Sequence, residues 1–357
     1  MPHMKEGMTI SITTGTIIKT ALVLGGLWLL FYLREIVLVV LAAVVIASAL
    51  EPAVALLMRS RLPRLVAVIC IYLLLFIFLF GIFYFFVPTV VDDLASFIAS
   101  FPLYVENFSR AVAIEDYAFI FGISDAANLS TEDIIAALRE SLNPANVFGT
   151  SFSAAATVFG GVFSFVLIIV FSFYFTVAET GVDDFLRVIA PRKYQNYLLN
   201  LWFRTRHKIG LWMQGQVLLG LIVGVFVYLS LTILGIKHAL LLAVLAAILE
   251  LIPVFGPTIS AVPAVLIGFA EGGLAVGLLI IALYVIIQQF ENHLIYPLVV
   301  TKVVGVPPLL VILGLIIGWN LFGFLGILLS VPVAASIQEF VRDWSEGKVF
   351  VKEGEGA

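Results

Sequence analysis

Long runs of apolar residues, interrupted by short polar stretches, dominate the chain. Eight such segments stand out, and most reach the roughly 20 residues that an α-helix needs to cross the hydrocarbon core of a bilayer. They cover residues 17–33, 36–57, 65–88, 152–178, 209–234, 239–270, 274–290 and 309–335. The runs are continuous, whereas the strands of a membrane β-barrel would alternate apolar and polar residues. The pattern predicts an all-α polytopic membrane protein, in which Arg34-Glu35 joins the first two segments into a helical hairpin.

The composition supports this prediction and excludes several classes of protein. Hydrophobic residues make up 62% of the 357 residues and charged residues 12%, and the mean hydropathy is +1.16. A soluble globule cannot cover its surface with so few polar side chains. The net charge of −4 gives no basic footprint for nucleic acid.

Motifs for catalysis, metal binding and cofactor binding are missing. The chain has a single cysteine, Cys70, and four dispersed histidines, so neither an intrachain disulfide nor a metal cluster is expected. It has no phosphate-binding GxxxxGK[ST] loop and no HExxH motif. The sequence therefore predicts a protein that is not an enzyme and that carries no catalytic residue, no metal and no cofactor.

Basic residues predict the orientation in the membrane, because cytoplasmic loops collect Lys and Arg. Three arginines and no acid lie in 58–64, and six basic residues lie in 179–208. The 89–150 connection has only Arg110 and Arg139 against nine acids. We expect the first two connections and both termini to be cytoplasmic, and the protein to lie in the plasma (inner) membrane.

Four regions follow from this arrangement. They are an N-terminal scaffold of membrane helices (1–88), an acidic helical extracytoplasmic insert (89–150), a C-terminal transport region (151–336) and a cytoplasmic tail (337–357). Within the insert, Ser130-Thr131-Glu132-Asp133 is typical of a helix start. Residues 181–208 predict an amphipathic cytoplasmic helix that Pro191 breaks.

The sixth segment is too long and is interrupted. Its 32 residues would form a straight helix of about 48 Å, far more than a membrane requires. Glu250, Pro253, Phe255, Gly256 and Pro257 lie in its middle, and the two prolines remove backbone donors and break the helix. Broken backbone at membrane depth must be satisfied by protein or a water-filled cavity. The segment is either a discontinuous span or a re-entrant hairpin.

The eighth segment is interrupted as well, and it weakly repeats the sixth. Its middle contains Gly314, Gly318, Asn320, Gly323 and Gly326. Both FGPTISAVPA (255–264) and FGFLGILLSVPVA (322–334) run from Phe-Gly through Ser to Val-Pro and Ala. Paired interrupted segments in two halves are typical of a transporter site. The chain then has eight spans, or six spans and two hairpins that enter from opposite sides.

A few polar residues in the apolar segments are candidates for chemistry. Glu250 is the only acid well inside an apolar segment after residue 60, and a charged side chain is costly inside a membrane. It either binds substrate or protons, or accepts hydrogen bonds from the backbone amides at the helix break. Gln288, Glu291 and Asn292 share one helical face, which lines a cavity or ends an interfacial helix. Asn320 either binds solute or caps backbone. Two further predictions concern structure: Glu51 pairs with a loop arginine, and Gly220 with Gly224 allows close helix packing.

Several motifs resemble those of the autoinducer-2 exporter family over nearly the whole chain. They are IPVFGP at 252–257 with PA at 263–264, ENHLIYP at 291–297, LPRLVAV at 62–68 after Pro52, and the glycine-rich close with LSVPVAA within 318–335. The resemblance implies eight hydrophobic segments and a homo-oligomer, a pentamer. It also implies export of autoinducer-2 for some members and sodium(lithium)/proton antiport for others.

We therefore expect a secondary transporter that exports a small polar solute, autoinducer-2 or a similar signal, by alternating access. Its partners would be the bilayer, further copies of the chain and the solute or a cation, with no nucleic acid. The candidate binding site comprises Glu250, Pro253, Phe255, Gly256, Pro257, Gln288, Glu291, Asn292 and Asn320, and the backbone carbonyls freed at Pro253 and Pro257 are expected to act as further acceptors for the solute. A cation/proton antiporter using Glu250 and Glu291 is the alternative, although the sequence shows no acid pair inside the membrane. The third hypothesis is a passive channel or a membrane scaffold.

Overall fold

The computed structural model describes residues 14–112, 151–178, 180–295 and 306–347, and these ranges contain helices and turns but no strand. A 3₁₀ turn covers Arg192–Tyr194 and a π-helical turn covers Glu291–Ile295. The helices are α1 (Thr14–Tyr32), α2 (Arg34–Met58), α3 (Arg64–Phe85), α4 (Val87–Val112), α5 (Ser151–Val177), α6 (Gly181–Ile189), α7 (Gln195–Ile233), α8 (Ala239–Leu249), α9 (Gly256–Phe290) and α10 (Pro308–Ser345).

The protein is an all-α, multi-pass membrane protein. Within the described residues, six helices are long and apolar enough to cross a membrane: α2, α3, α5 from Gly160, α7, α9 and α10. The sequence predicts eight segments, two of them interrupted, as eight spans or as six spans and two hairpins. The six helices differ from these segments because α1 is not among them. In addition, the predicted segments 239–270 and 274–290 are divided between the 11-residue α8 and a single helix, α9, that reverses at Gly273, as described below.

The first two segments do not form the predicted hairpin. Only Leu33 separates α1 from α2, and its backbone stays near helical values (φ −90°, ψ 15°). The Leu33 N–H donates to the Leu29 carbonyl and the Val37 N–H to the Leu33 carbonyl, so the helical ladder continues across the junction. Arg34-Glu35 is therefore the start of α2 rather than a turn, because two charged residues are compatible with a helix when no glycine or proline breaks it.

Helix α7 lies at the centre of the bundle and packs against α2, α8 and α10. At one end, the Glu51 carboxylate of α2 accepts hydrogen bonds from Arg64 (2.9 and 3.0 Å) and from Arg206 of α7 (2.8 Å). The prediction that Glu51 pairs with a loop arginine is confirmed. This shared carboxylate ties α2, α3 and α7 together at the end that the arginine distribution predicts to be cytoplasmic.

Two glycines bring α7 and α8 into close contact. A Cβ atom on Gly220 would lie 2.7 Å from the Ala247 carbonyl oxygen, and one on Gly224 would lie 2.9 Å from the Ala247 Cβ. Neither distance is tolerated between real atoms, so only glycine permits this approach. The packing interpretation of Gly220 and Gly224 is confirmed.

A first reversal, which we name the acidic hairpin, consists of α8, the turn 250–255 and the 256–272 arm of α9. A Cβ atom on Gly256 would overlap the Leu249 carbonyl oxygen, so the two arms meet directly behind the turn. Within the turn, Val254 has a left-handed backbone (φ 71°), which is rare for a β-branched residue. At the far end of the arm, Gly273 (φ 65°) reverses the chain again into the 274–290 arm, which packs back through Gly277 against Phe269.

A second reversal, the glycine hairpin, lies within α10. Gly323 has a left-handed backbone (φ 61°), and a Cβ atom on either Gly318 or Gly326 would overlap the carbonyl oxygen of the other. Gly314 faces Ser330 in the same way, at 3.5 Å. Residues 308–322 and 324–345 are therefore two antiparallel arms joined by one residue.

The two hairpins open at opposite ends of α7. Beside the outer end of the acidic hairpin, Lys237 pairs with Glu271 (3.1 Å), just after α7 ends at Ile233. The last turns of the glycine hairpin instead meet the other end of α7, where Asp343 pairs with Arg204. Each copy of the repeated Phe-Gly…Ser…Val-Pro motif begins at a hairpin turn and continues along the arm that leads away from that turn.

The structure of the connecting regions agrees in part with the predictions made from the sequence. Helix α6 ends before Pro191 and α7 begins after it, so the predicted break is confirmed, but α7 then continues from Gln195 to Ile233 without interruption. In the acidic insert, α4 is helical and packs against α9. The predicted helix start at Ser130 lies outside the described residues.

Candidate functional site

The turn of the acidic hairpin places Glu250 deep inside the protein. Its side chain is 2% exposed, and its Cβ lies opposite Gly220 on α7. Lys208 and Ile233, which bracket the apolar half of α7, are each about 18–20 Å from Gly220 along the helix. Glu250 is therefore close to the middle of the membrane-embedded layer.

A second acid lies beside Glu250. Glu291 begins the π-helical turn after α9, is 5% exposed, and its carboxyl group neighbours that of Glu250. Two carboxyl groups can hydrogen-bond to each other only when one carries a proton. The expectation that the membrane contains no acid pair is wrong, because 41 positions of sequence separate two residues that the reversals at 250–255 and Gly273 bring together.

Two amide side chains complete this polar cluster. The Gln288 amide donates to the Glu291 carboxylate (3.2 Å). The Gln216 amide, on α7, donates to the backbone carbonyl of Glu250. Gln216 is 2% exposed. We name Gln216, Glu250, Gln288 and Glu291 the carboxylate cluster.

The carboxylate cluster has more oxygen acceptors than donors. One carboxyl oxygen of Glu250 and the amide oxygen of Gln216 are buried and have no hydrogen-bond partner among the described residues. The hydroxyl of Tyr284, one turn before Gln288 on α9, is also buried without a partner. Buried polar atoms are normally paired, so each exception calls for a ligand, a water or a proton. Acceptor oxygens in excess suit a proton or a hard cation.

The predicted proline carbonyls are not free. The Pro257 carbonyl accepts from the Ser260 hydroxyl (2.9 Å), and the Pro253 carbonyl accepts from the Phe255 N–H (2.9 Å). Pro257 and Gly256 are buried, whereas Phe255 is 43% exposed. These residues shape the turn behind Glu250, and the expectation that their carbonyls are free to bind solute is not met.

The two asparagines lie elsewhere. Asn292 is exposed, because the π-helical turn changes the register in which it would share a face with Gln288. Asn320 is exposed on the glycine hairpin and donates to the Ile316 carbonyl of its own arm (2.9 Å). The structure therefore brings together Glu250, Gln288 and Glu291 of the predicted site and leaves both asparagines outside it.

Gln216 was missing from the predicted site. Its position in an apolar stretch of α7 could have identified it as a candidate, since polar residues inside membrane helices face the protein interior. Its neighbour Gln214 gives the same signal but donates to the Ala49 carbonyl of α2. Sequence position alone cannot separate the two, because they lie on different faces of α7.

An apolar groove is separate from the carboxylate cluster. It has a volume of about 560 Å³ and lies between the first turns of α2 and both arms of the glycine hairpin. Its lining includes Phe31, Leu38, Phe322 and Leu329, with Arg34 at its edge. Nothing in this lining resembles the polar residues of the cluster.

Ionic contacts mark the two ends of the bundle around the cluster. At one end His238 lies 3.2 Å from Asp93 of α4, and Glu271 accepts a hydrogen bond that raises the pKa of the Lys237 ammonium. At the other end Glu339 and Asp343 of α10 are buried against Arg204 and Lys208 of α7.

A comparison with known families decides the class of this protein. The sequence model of the AI-2E family transporters matches residues 17–346. The chain belongs to the AI-2E family. It is a membrane transporter and not an enzyme, and the resemblance seen in the sequence motifs is confirmed.

The names of several relatives of this AI-2E family member describe them as transport proteins. The transport protein YueF of Bacillus subtilis is 34% identical over 192 residues, or 53% of this chain and 52% of that protein. The chain thus aligns with about half the length of YueF. The transport protein MT0215 of Mycobacterium tuberculosis is 28% identical over 332 residues (91% and 87%). A transport protein of Haemophilus influenzae is 26% identical over 314 residues (85% of each chain).

Proposed function

We propose that the protein is a secondary transporter that exchanges a monovalent cation for protons at the carboxylate cluster. The observation that carries this proposal is the Glu250–Glu291 pair, two neighbouring carboxyl groups that are both buried, so that charging both at once is costly. Such a pair alternates between a protonated state and a cation-bound state, because one added cation can replace one lost proton without adding buried charge. Unpaired oxygens of Glu250 and Gln216 supply further ligands of the kind that hard cations prefer.

The arrangement of the hairpins supports a mechanism of alternating access. Glu250 lies at the turn of a hairpin that opens at one end of α7, and the glycine hairpin opens at the other. Re-entrant segments that approach from opposite sides, with a site at mid-depth, are typical of transporters built from inverted repeats. We propose that these hairpins move against the α2–α5 scaffold within a homo-oligomer, a pentamer by the family resemblance.

The test is cation-driven proton movement in proteoliposomes. We expect a sodium or lithium gradient to drive opposite proton flux with the wild type, and E250Q and E291Q each to reduce that flux to background. E271Q is the matched control, since it makes the same change at the outer end of the acidic hairpin, and it should retain flux. Wild-type antiport by both E250Q and E291Q would overturn the proposal.

Export of a neutral polar solute such as autoinducer-2 is a second candidate. Gln216 and Gln288 favour it, because their amides place donors beside carboxylate acceptors, and a polyhydroxylated solute needs both. In that case solute efflux should proceed without a sodium or lithium gradient. E250Q should then retain part of the solute flux, since glutamine keeps one acceptor of similar size.

The proposed orientation places residues 58–64 and 179–208 in the cytoplasm with both termini. In a background without Cys70, single cysteines at positions 60 and 195 should react from the cytoplasmic side and one at position 125 from the outside. Labelling of position 125 from the cytoplasmic side would invert the orientation and leave the carboxylate cluster unchanged.

A further inference from the structure

Helix α2 begins with two charged residues, Arg34 and Glu35, which lie close to the middle of the membrane-embedded layer. The helix runs antiparallel to α7, and a Cβ atom on Gly210 of α7 would overlap the Ser48 carbonyl oxygen. From that contact, Arg34 is about 21 Å along α2, and Gly220, which lies near the middle of the layer, is about 15 Å along α7 in the same direction. Arg34 and Glu35 are therefore only about 6 Å beyond the middle.

The glycine hairpin gives the same depth for these residues. Arg34 lies at the edge of the apolar groove whose lining includes Phe322, and Leu38, one turn further, belongs to the same apolar cluster as Phe322. Glu339 of this hairpin pairs with Lys208, at the end of the layer that is predicted to be cytoplasmic. Phe322 is about 25 Å from that level along the arm, whereas the middle of the layer is about 18 Å from it. Both routes place Arg34 within the hydrocarbon core, whose half-thickness is about 15 Å.

Neither charge has an ion-pair partner in the part of the chain that the structure describes. Both side chains are exposed, and adjacent residues of a helix do not face each other. The Arg34 guanidinium lies 5.2 Å from the centre of the Phe31 ring, a contact that leaves its charge in place. Because an unpaired charge at this depth is costly in lipid, both residues require a partner that the described chain does not supply.

The same stretch of helix has two different apolar faces. One face, with Phe31 and Leu38, lines the groove and has Arg34 at its edge. The opposite face is a ridge of large exposed side chains, namely Trp28, Tyr32 and Ile36. Glu35 adjoins this ridge, three residues after Tyr32, and is not part of the groove lining. Each chain thus presents a groove with a cation at its edge and a ridge with an anion at its edge.

We propose that copies of the chain pack with the ridge of one in the groove of the next, so that Glu35 of one copy pairs with Arg34 of its neighbour. Copies inserted in one orientation are related by rotation about the membrane normal, so residues in contact must lie at equal depth. Arg34 and Glu35 meet this condition, because consecutive residues differ by about 1.5 Å along the helix. A groove and a ridge on every copy form a heterologous contact, which can close into a ring. This interface goes beyond the homo-oligomer inferred from the family resemblance, and it does not depend on the transported solute.

Charge reversal tests the ion pair between copies. In a background without Cys70, S60C carries a donor or an acceptor fluorophore, and energy transfer between copies is measured in phosphatidylcholine vesicles at decreasing protein-to-lipid ratios. R34E and E35R should each raise the dissociation constant on the order of tenfold or more, because each brings like charges together. R34E/E35R restores opposite charges and should assemble as the wild type does. The control R192E reverses a cation beyond the end of the membrane-embedded layer and should leave assembly unchanged.

Crosslinking shows whether the groove of one copy meets the ridge of another. Differently tagged copies with R34C or E35C, both without Cys70, are coexpressed and treated in membranes with a short bis-maleimide, which should join position 34 to position 35 more than either position to itself. Wild-type assembly of both single reversals, a double variant no better than the singles, or crosslinking that is equal for all position pairs would overturn the proposal. A lipid anion as the partner of Arg34 would leave E35R unaffected, and that result would overturn it as well.

Discussion

The acidic hairpin and the glycine hairpin reverse the chain by different means. The acidic hairpin uses six residues, two prolines in and just after the turn, and a left-handed Val254, whereas the glycine hairpin uses Gly323 alone. A single glycine makes a compact turn because it adopts the left-handed backbone without steric cost. A six-residue turn adds backbone groups of its own, and one of them, the Glu250 carbonyl, is bound by Gln216. The longer turn thus makes room for a buried carboxylate at mid-membrane depth, whereas the shorter turn only brings the two arms of the glycine hairpin into contact.

The largest effect is expected where the arms of the acidic hairpin touch. G256V places a side chain against the Leu249 carbonyl, so the hairpin cannot close, and a cost of several kcal/mol should prevent folding. Size-exclusion profiles and thermal stability measure this. G160V is the control, because nothing lies within 4 Å of a Cβ atom there. Folded, active G256V protein would show that the arms separate at no cost.

The next effect concerns the prolines of the turn. In P253A/P257A, each alanine favours a continuous helix by about 3 kcal/mol over proline, so α8 and α9 should extend towards each other and displace Glu250. We expect normal expression and flux at background. The comparison partner is P332A on the glycine hairpin, which lies within a helical arm and should keep flux. Wild-type flux in the double variant would mean that the long turn is incidental.

A smaller effect is expected at Gln216. Q216L leaves the buried Glu250 carbonyl without its donor, which costs about 1–3 kcal/mol, and flux should fall about tenfold. Q214L, two residues away, loses a bond to α2 instead and should lower thermal stability without changing the dependence of flux on cation concentration. Indistinguishable flux profiles for the two variants would remove Gln216 from the site.

The smallest effect is expected on the glycine hairpin. Asn320 is exposed and bonds only to its own arm, so N320A should alter flux less than about twofold, within the range of most surface substitutions. Initial rates of flux measure this. A loss as large as that of E250Q would mean that the glycine hairpin also contributes to the transport site.

The sequence predicts the helices and the location of the first break well. Continuous apolar runs determine the membrane helices, and Pro253 with Pro257 shows where α8 must end. The reversals at Gly273 and Gly323 are harder to predict, because a glycine within an apolar segment can either adopt a left-handed backbone or, like Gly220, stay helical and allow close packing.

The carboxylate cluster shows the same limit of prediction from the sequence. Glu250 is predictable, because a lone acid in an apolar run must have a role. Its pairing with Glu291 depends on two reversals between them, and Asn292 is excluded by one π-helical turn that local patterns do not reveal. Polarity along a segment identifies candidates, but the face on which each candidate lies depends on tertiary packing.

The shortness of α8 has a consequence for how the chain enters the membrane during synthesis. Eleven residues extend about 16 Å, roughly half of the hydrocarbon core, so α8 cannot remain there alone with the backbone ends of its turn in lipid. Its contact surface, Gly220 and Gly224 of α7, is synthesised immediately before it. The surface that receives α8 is therefore available before α8 itself, and a nascent chain arrested once residue 272 has left the ribosome should already hold the hairpin against α7.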